Sequence, residues 1–328
     1  MYWDSNIEDI RFKMNEYGQT GRPFLFGVNF ELTEGFFLDN PLSQSEIFYS
    51  MNGLGNDHLL SCMSEYNGIL FNCEPINYND YKEKFDIVHS GLCQGYSYLT
   101  NLTIKTPVSF NLSLEDIFIR SNAPYRLLCP DQFVCFSPER FVKISGRRIS
   151  TNPMKGTIDA SIPNAEQVIL NDFKETAEHN TIVDLLRNDL SIVADHVQVE
   201  SFRYIDRIKT NKSEILQVSS EIAGRLREDN YRNYGDIILS MLPAGSVSGA
   251  PKEATISIIK EAEKAPRGYY TGVFGYFDGR EFDSAVLIRY IERVGDKYFF
   301  RSGGGITAYS DSQSEYDEVI KKIYLPIL

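Results

Sequence analysis

The chain of 328 residues lacks any apolar run approaching the ~18 residues that a membrane-spanning helix needs. Its polar, acidic start, Met1-Tyr2-Trp3-Asp4-Ser5, has no hydrophobic segment of the kind found in secretory leaders. A soluble cytoplasmic protein is expected, with no membrane partner. Histidine is scarce, at four residues, and the five cysteines, Cys62, Cys73, Cys93, Cys129 and Cys135, include no CxxC pair and no Cys/His set at metal spacing. That excludes a zinc centre and a disulfide framework and leaves the cysteines as buried small hydrophobes. Positive charge is also short: 33 Lys+Arg stand against 45 Asp+Glu, a net charge of −12. No face is then basic enough to neutralise a phosphate backbone, so nucleic acid is not an expected partner. An anionic small molecule is compatible, provided a few local cations or a metal ion overcome the overall field. Repeats, low-complexity tracts and Pro/Gly/Ser linkers are missing as well, so residues 1–328 read as one domain.

What is present is a mixture of two hydrophobic periods. Residues 1–75 alternate apolar segments, such as Phe24-Leu25-Phe26-Gly27-Val28-Asn29-Phe30, with turn residues, and predict strands and loops. Over 79–94, Tyr81, Phe85, Val88 and Leu92 recur at helical spacing and Gly95 provides the stop. A long helix is predicted over 164–188, with Val168, Phe173, Ala177, Ile182, Val183, Leu185 and Leu186 as its apolar faces. Others are predicted over 234–241, from about Pro251 to Ala265, and from about Ser312. Strand patterns occupy 96–104, 132–136, 141–144, 272–276, 285–292 and 297–301. Helices and strands interspersed without regular βαβ spacing imply an α+β fold built on antiparallel sheets.

The chemistry-bearing residues fall in four places. Glu175 and Glu178 stand three apart on the long helix, and Glu315 and Glu318 repeat that spacing on the last one, with Lys322 four residues further on. Like charges on one helix face repel unless a cation joins them. Two such pairs suit a hard divalent ion such as Mg²⁺, which takes one or two carboxylates plus water and substrate oxygens. The same residues also read as a capping box from Ser312 to Glu315 and a solvated Glu318–Lys322 pair. Pro243-Ala244-Gly245-Ser246-Val247-Ser248-Gly249-Ala250-Pro251-Lys252 is a Gly/Ser loop feeding a helix, able to offer N–H groups to an anion. In Ser302-Gly303-Gly304-Gly305-Ile306-Thr307, three glycines let a ligand approach the backbone closely. Neither is a Walker A or GxGxxG motif, and each reads equally as a tight turn. Finally, Pro153-Met154-Lys155-Gly156-Thr157 puts a lysine between turn-formers, where it is a nucleophile if its pKa is depressed and plain surface otherwise.

Taken in order, these segments resemble the chorismate-utilising enzymes: anthranilate synthase component I, aminodeoxychorismate synthase component I, and the isochorismate and salicylate synthases. The matching runs are Ser137-Pro138-Glu139-Arg140-Phe141, Pro153 to Thr157, Glu178 through Ile182-Val183-Asp184-Leu185-Leu186-Arg187-Asn188-Asp189-Leu190, Leu242 to Lys252, Arg267 to Tyr276, and Gly303 to Lys322. The resemblance implies an anthranilate synthase component I-like fold, a β-sandwich of antiparallel sheets flanked by helices, with residues 1–75 a shortened N-terminal part and 76–328 the motif-bearing catalytic part. The lysine of the Pro-x-Lys-Gly-Thr motif is typical of aminodeoxychorismate synthases, where anthranilate synthases usually carry Ala. By that resemblance Lys155 attacks C2 of chorismate and expels the C4 hydroxyl, and ammonia opens the adduct at C4. Glu139, sixteen residues before Lys155, is the implied general acid and later base. Carried over position by position, Glu178 and Glu318 hold Mg²⁺ on the C1 carboxylate with Glu175 and Glu315 beside them. Tyr270, Arg289 and the Gly304-Gly305 backbone clamp the carboxylates, and Ser246, Lys322 and Thr157 are neighbours in the substrate site.

Two positions depart from the family. Gln217 stands where most members have His, and glutamine has no titratable proton to give. Leu99 stands where many members have a polar residue and isochorismate-forming relatives have the lysine that activates water, which disfavours isochorismate and salicylate synthesis. No tryptophan-binding Leu-Leu-Glu-Ser motif is present, and no amidotransferase triad, so ammonia is expected from a separate glutamine amidotransferase subunit or from solution. The expectation is therefore 4-amino-4-deoxychorismate formation for p-aminobenzoate and folate synthesis. The rivals are anthranilate synthase component I and a non-catalytic chorismate-binding paralogue.

Overall fold

The computed structural model describes residues 6–60, 68–209 and 214–327. Two nine-stranded sheets form its centre, and the strand ladders within them are antiparallel. Their inner faces share one apolar layer: Leu25, Phe274 and Ala285 from the first sheet meet Tyr49, Leu127, Cys135 and Tyr290 from the second. Along Phe24–Val28 the pleat sends Leu25 into that layer, while Phe24, Phe26 and Val28 point the other way, onto Met14, Leu186 and Ile237 of helices Ile7–Thr20, Phe173–Ser191 and Tyr234–Met241. The second sheet is covered in the same manner, where Leu102 and Ile104 pack on Tyr81, Val88, Ile258 and Val319 of helices Tyr78–Cys93, Lys252–Glu263 and Ser312–Lys321. The result is the expected α+β sandwich of antiparallel sheets flanked by helices. Each side chain of Leu or Phe size removed from water in these layers contributes about 1.5–3 kcal/mol before chain entropy is charged against it.

Several expectations need correction. Residues 1–75 are not only strands and loops: Ile7–Thr20 is a helix, capped by the Asn6 side chain and stopped by Gly21 in the left-handed region. Its buried Ile10, Met14 and Gly18 do follow helical spacing. The helix expected over 164–188 is two helices, Ala165–Asn171 and Phe173–Ser191, because Asp172 is extended and turns its carboxylate to cap the second through Glu175 N at 2.9 Å. That break leaves Phe173 87% and Val168 50% exposed instead of on an apolar face. The strand expected over 96–104 runs instead from Leu99 to Phe110. On the last helix the cap is Asp311, not Ser312, so the capping box is not made. Among the cysteines Cys129 and Cys135 are buried, but Cys93 is exposed and Cys73 half-buried; Cys62 lies outside the described residues.

The most consequential difference concerns 285–292. One strand was expected; there are two, Glu281–Val286 in the first sheet and Tyr290–Val294 in the second. The chain crosses between sheets at Leu287-Ile288-Arg289, with Arg289 at φ 53°. A second crossing lies against it, from Phe133–Ser137 in the second sheet to Arg140–Ser145 in the first, through Pro138 and Glu139. Pro138 has no N–H to continue a ladder, so the chain leaves one sheet there. Hydrogen bonds from Phe136 N to Arg289 O (3.0 Å) and from Val286 N to Glu139 O (3.2 Å) tie the two crossings together.

Candidate active site

Beside these crossings a cavity of about 460 Å³ opens between the sheets and the helices Phe173–Ser191 and Ser312–Lys321. Every sequence-predicted site residue except Glu315 lies on its wall: Lys155, Glu139, Ser246 and Thr157; Glu175, Glu178, Glu318 and Lys322; Tyr270, Arg289, Gly304 and Gly305. Glu315 lies just behind the wall, buried, its Oε2 3.6 Å from where a Cβ on Gly304 would stand. Gln217, Leu99 and Asn101 are also part of the lining.

Lys155 is not in a turn. It sits in the strand Met154–Asp159, whose register on Glu214–Leu226 slips between Met154 and Thr157. At the slip Gly156 takes φ 87°, a backbone conformation that favours glycine, and a Cβ there would crowd Glu175 Oε2 at 3.0 Å. The Lys155 ammonium meets Glu178 Oε2 at 2.6 Å. Burial alone would lower its pKa, but Glu178, Glu318 and Glu175 outweigh burial and hold the amine above its ordinary range. The three glycines are likewise not a turn: strand Lys297–Ile306 runs through them, pairing Gly304 with Leu102 and Gly305 with Asn101. Without side chains there, the last helix lies close to the strand and Lys322 Nζ donates to Gly303 O at 2.9 Å.

The four carboxylates stand near enough to act on one another electrostatically. Lys322 pairs with Glu318 at 2.8 Å, on the cavity wall and not on an open face, and Lys174 lies 3.7 Å from Glu178 Oε1 and 3.5 Å from Glu315 Oε1. Burial would raise Glu318, but Lys322, Lys155 and Lys174 pull it down to about 2. Burial raises Glu175 and Glu315, only partly offset by Lys155 in the first case and by a Ser310 hydrogen bond in the second. Among the described residues no group of three or more acidic, His or Cys side chains is close enough to hold an ion by itself. The donor set is nonetheless all oxygen, and Glu175 Oε2 is buried with no hydrogen-bond partner. A hard divalent cation sharing its shell with ligand oxygens and water fits such a set.

At the other end Glu139 accepts from Ser246 Oγ at 2.5 Å. Burial raises its pKa, and Ser246, Arg289 and Lys322 offset this only in part. Arg289 makes no ion pair among the described residues, its Nε has no hydrogen-bond partner, and its guanidinium lies 5.5 Å from the Tyr324 ring centroid. Tyr270 is buried, and burial pushes its phenol up to about 12 against Arg267, Arg301 and Arg289.

Sequence reasoning missed what holds the walls in place. Arg267 is 1% exposed; it pairs with Glu263 at 2.7 Å and donates to Val247 O (2.7 Å) and Asn101 O (2.6 Å). One guanidinium therefore joins the Gly/Ser loop to the cavity-lining strand. Asp189 does similar work, accepting from Gly245 N at 3.1 Å and pairing with Lys252 at 2.9 Å. In that loop Gly245–Val247 is a 3₁₀ turn and Gly249–Ala250 pairs with the strand at Thr100 and Leu99. Gly249, at φ 127°, would place a Cβ 1.8 Å from Leu99 O. Neither support had a local signal, since Arg267 stands between Pro266 and Gly268 and Asp189 follows Arg187-Asn188; their burial is set by contacts distant in sequence.

Comparison with known proteins gives a consistent picture. The sequence model of a family described as chorismate binding enzyme matches residues 59–327. An "Uncharacterized PabA-like protein" of Haemophilus influenzae is 52% identical over 325 residues, covering 98% of both chains. "Aminodeoxychorismate synthase component 1" of Bacillus subtilis is 32% identical over 265 residues, 76% of this chain and 55% of that protein. The crystal structure of anthranilate synthase component I from Streptococcus pneumoniae superposes with a TM-score of 0.66 at 27% identity, over 77% of this chain and 58% of that one.

Proposed function

Because the chain belongs to the chorismate binding enzyme family, we propose that within it this protein is an aminodeoxychorismate synthase component I, joining chorismate and ammonia to give 4-amino-4-deoxychorismate and water. One observation carries the choice of reaction: the cavity wall holds a lysine, Lys155, whose ammonium pairs with Glu178 of the acidic set. In this reading Lys155 forms a bond to C2 as the ring double bond shifts, and the C4 hydroxyl leaves as water with the proton of Glu139. Ammonia then bonds to C4 and gives up a proton to the Glu139 carboxylate, the lysine–C2 bond breaks as the ring double bond shifts back, and Lys155 returns as the free amine. Glu139 suits the first proton transfer because burial keeps its carboxyl protonated above the ordinary range. Arg289, without an ion pair among the described residues, and the backbone of Gly304 and Gly305 receive the carboxylates of the dianion.

Lys155 is an ammonium in the structure and must shed a proton before it can attack. A Mg²⁺ held by Glu178 and Glu318, with Glu175 and Glu315 beside them, would supply a bridge to the C1 carboxylate and offset the negative charge that keeps Lys155 protonated. Leu99 contributes an apolar side chain to the same wall and has no group with which to activate water. An amidotransferase subunit is the proposed ammonia source, with free ammonium as its substitute in vitro. No helix among the described residues is long and apolar enough to cross a membrane.

Incubating the protein with chorismate, Mg²⁺ and ammonium, followed by mass spectrometry, tests the reading. Aminodeoxychorismate is expected, with loss of activity in EDTA. Lys155→Ala should abolish the covalent adduct and lower turnover on the order of a thousandfold or more. Fluorescent anthranilate as the product, or undiminished turnover of the variant, would overturn it.

A further inference from the structure

The carboxylate cluster contains a lysine that the proposed chemistry does not use. Lys174 stands one turn before Glu178, and its ammonium reaches carboxylates on two different helices, Glu178 Oε1 at 3.7 Å and Glu315 Oε1 at 3.5 Å. Both contacts are long for a directed hydrogen bond, so the attraction is mainly that of charge. The carboxylate side chains are 11% and 3% exposed, whereas the lysine side chain is 53% exposed. It follows Phe173, which is itself 87% exposed, at the open start of the helix. The two other lysines of the cluster are held more tightly: Lys155 lies 2.6 Å from Glu178 Oε2 and Lys322 lies 2.8 Å from Glu318 Oε1, each 24% exposed. Of the three, Lys174 is therefore the one that can swing into solvent at least cost.

Resting on the reading in which these carboxylates flank a divalent cation, we propose that Lys174 is a tethered counter-ion that occupies the metal's electrostatic place. It offsets the repulsion between Glu178 and Glu315 in the metal-free protein and leaves when a divalent cation enters. The argument is one of competition. Two buried carboxylates from separate helices repel each other and need a positive charge nearby. A flexible monovalent ammonium at 3.5–3.7 Å meets that need loosely, and a divalent ion drawn to Glu178 competes with it for that carboxylate. Lys174 therefore weakens metal binding while it steadies the metal-free fold. A lysine that served only to shape the metal site would have the opposite effect on affinity.

Calorimetric titration of Mg²⁺ alone into wild type, Lys174→Gln, Lys174→Arg and, as a surface control, Lys82→Gln distinguishes the two. Lys174→Gln should bind about three- to tenfold more tightly, the order expected for removing one partly screened charge next to two carboxylates. It should also melt at a lower temperature than wild type without Mg²⁺ and gain more on its addition. Lys174→Arg, which keeps the charge, and Lys82→Gln should stay near wild type. Unchanged or weaker binding by Lys174→Gln, with wild type binding Mg²⁺ normally, would overturn the counter-ion role alone. Failure of both wild type and Lys174→Gln to take up Mg²⁺, with or without chorismate, would remove the metal reading and this inference together.

Discussion

The two ends of the cavity solve the problem of buried charge in opposite ways. At the acidic end Glu178, Glu315 and Glu318 each meet at least one lysine within 4 Å, so the ions are paired before any ligand arrives. At the cationic end Arg289 has no ion pair among the described residues, and Glu139 is held toward its neutral form by burial. The first end is an ion cluster that must be opened; the second offers a charge that is not yet used. A dianion entering between them exchanges partners at one end and gains a new one at the other. The difference also follows the scaffold. Helices carry the acidic pairs, whose spacing of three is fixed by helix geometry, while the cationic end hangs on two chain crossings whose position no local period specifies.

Beside the loss expected of Lys155→Ala, changes at the cationic end should have the largest effects. Glu139→Gln should lower kcat by roughly a hundred- to ten-thousand-fold, the usual worth of a positioned acid, in steady-state assays on chorismate and ammonium. Because its acid form is the working one, activity should fall as pH rises through the raised pKa of Glu139. Ser246→Ala removes a hydrogen bond to the charged form and should shift that alkaline limb to higher pH. A limb that moves down instead would break the contrast between the two ends. Next in size, Arg267→Met leaves buried Glu263 unpaired and unties the Gly/Ser loop. A cost of about 3–5 kcal/mol is expected in denaturant unfolding, as for other broken buried pairs.

At the acidic end Gly156→Ala should cost about 1–3 kcal/mol, from a left-handed backbone and a crowded Glu175. The same unfolding experiment would show it. The smallest effect concerns acid stability. Glu318 lies at about 2 in the folded protein against an ordinary 4.5, so its pairing stabilises the fold above pH 4.5 and is lost as pH falls from there toward 2. Solvent screening keeps this modest for a side chain 39% exposed. Melting temperatures measured across that interval should fall less steeply in Lys322→Met. An identical slope would mean that the pairing at this end adds nothing to stability.

The residue types and most elements were legible because they rest on short-range periods. Tyr234–Met241 has the predicted limits, and Tyr78–Cys93 and Lys252–Glu263 lie within two residues of them. The errors occurred where a long-range contact overrode the local pattern. The apolar run at 285–292 reads as one strand, yet it serves two sheets because each half finds a different partner. Glycines 303–305 read as a turn, yet they extend a strand because the cavity-lining strand beside them supplies the ladder. Helix Ile7–Thr20 was within reach, since Asn6, Gly21 and the spacing of Ile10 and Met14 all mark it.

By itself the sequence determined which groups were available: a lysine in a Pro-x-Lys-Gly-Thr run, two carboxylate pairs at helical spacing, an arginine and a run of three glycines. The family to which the chain belongs was legible there as well, since motifs in fixed order survive without knowledge of contacts. Only the tertiary structure decided that Lys155 is a paired ammonium while Arg289 makes no ion pair among the described residues. A charge's state depends on burial and on partners drawn from elsewhere in the chain, and neither can be read from its neighbours in sequence.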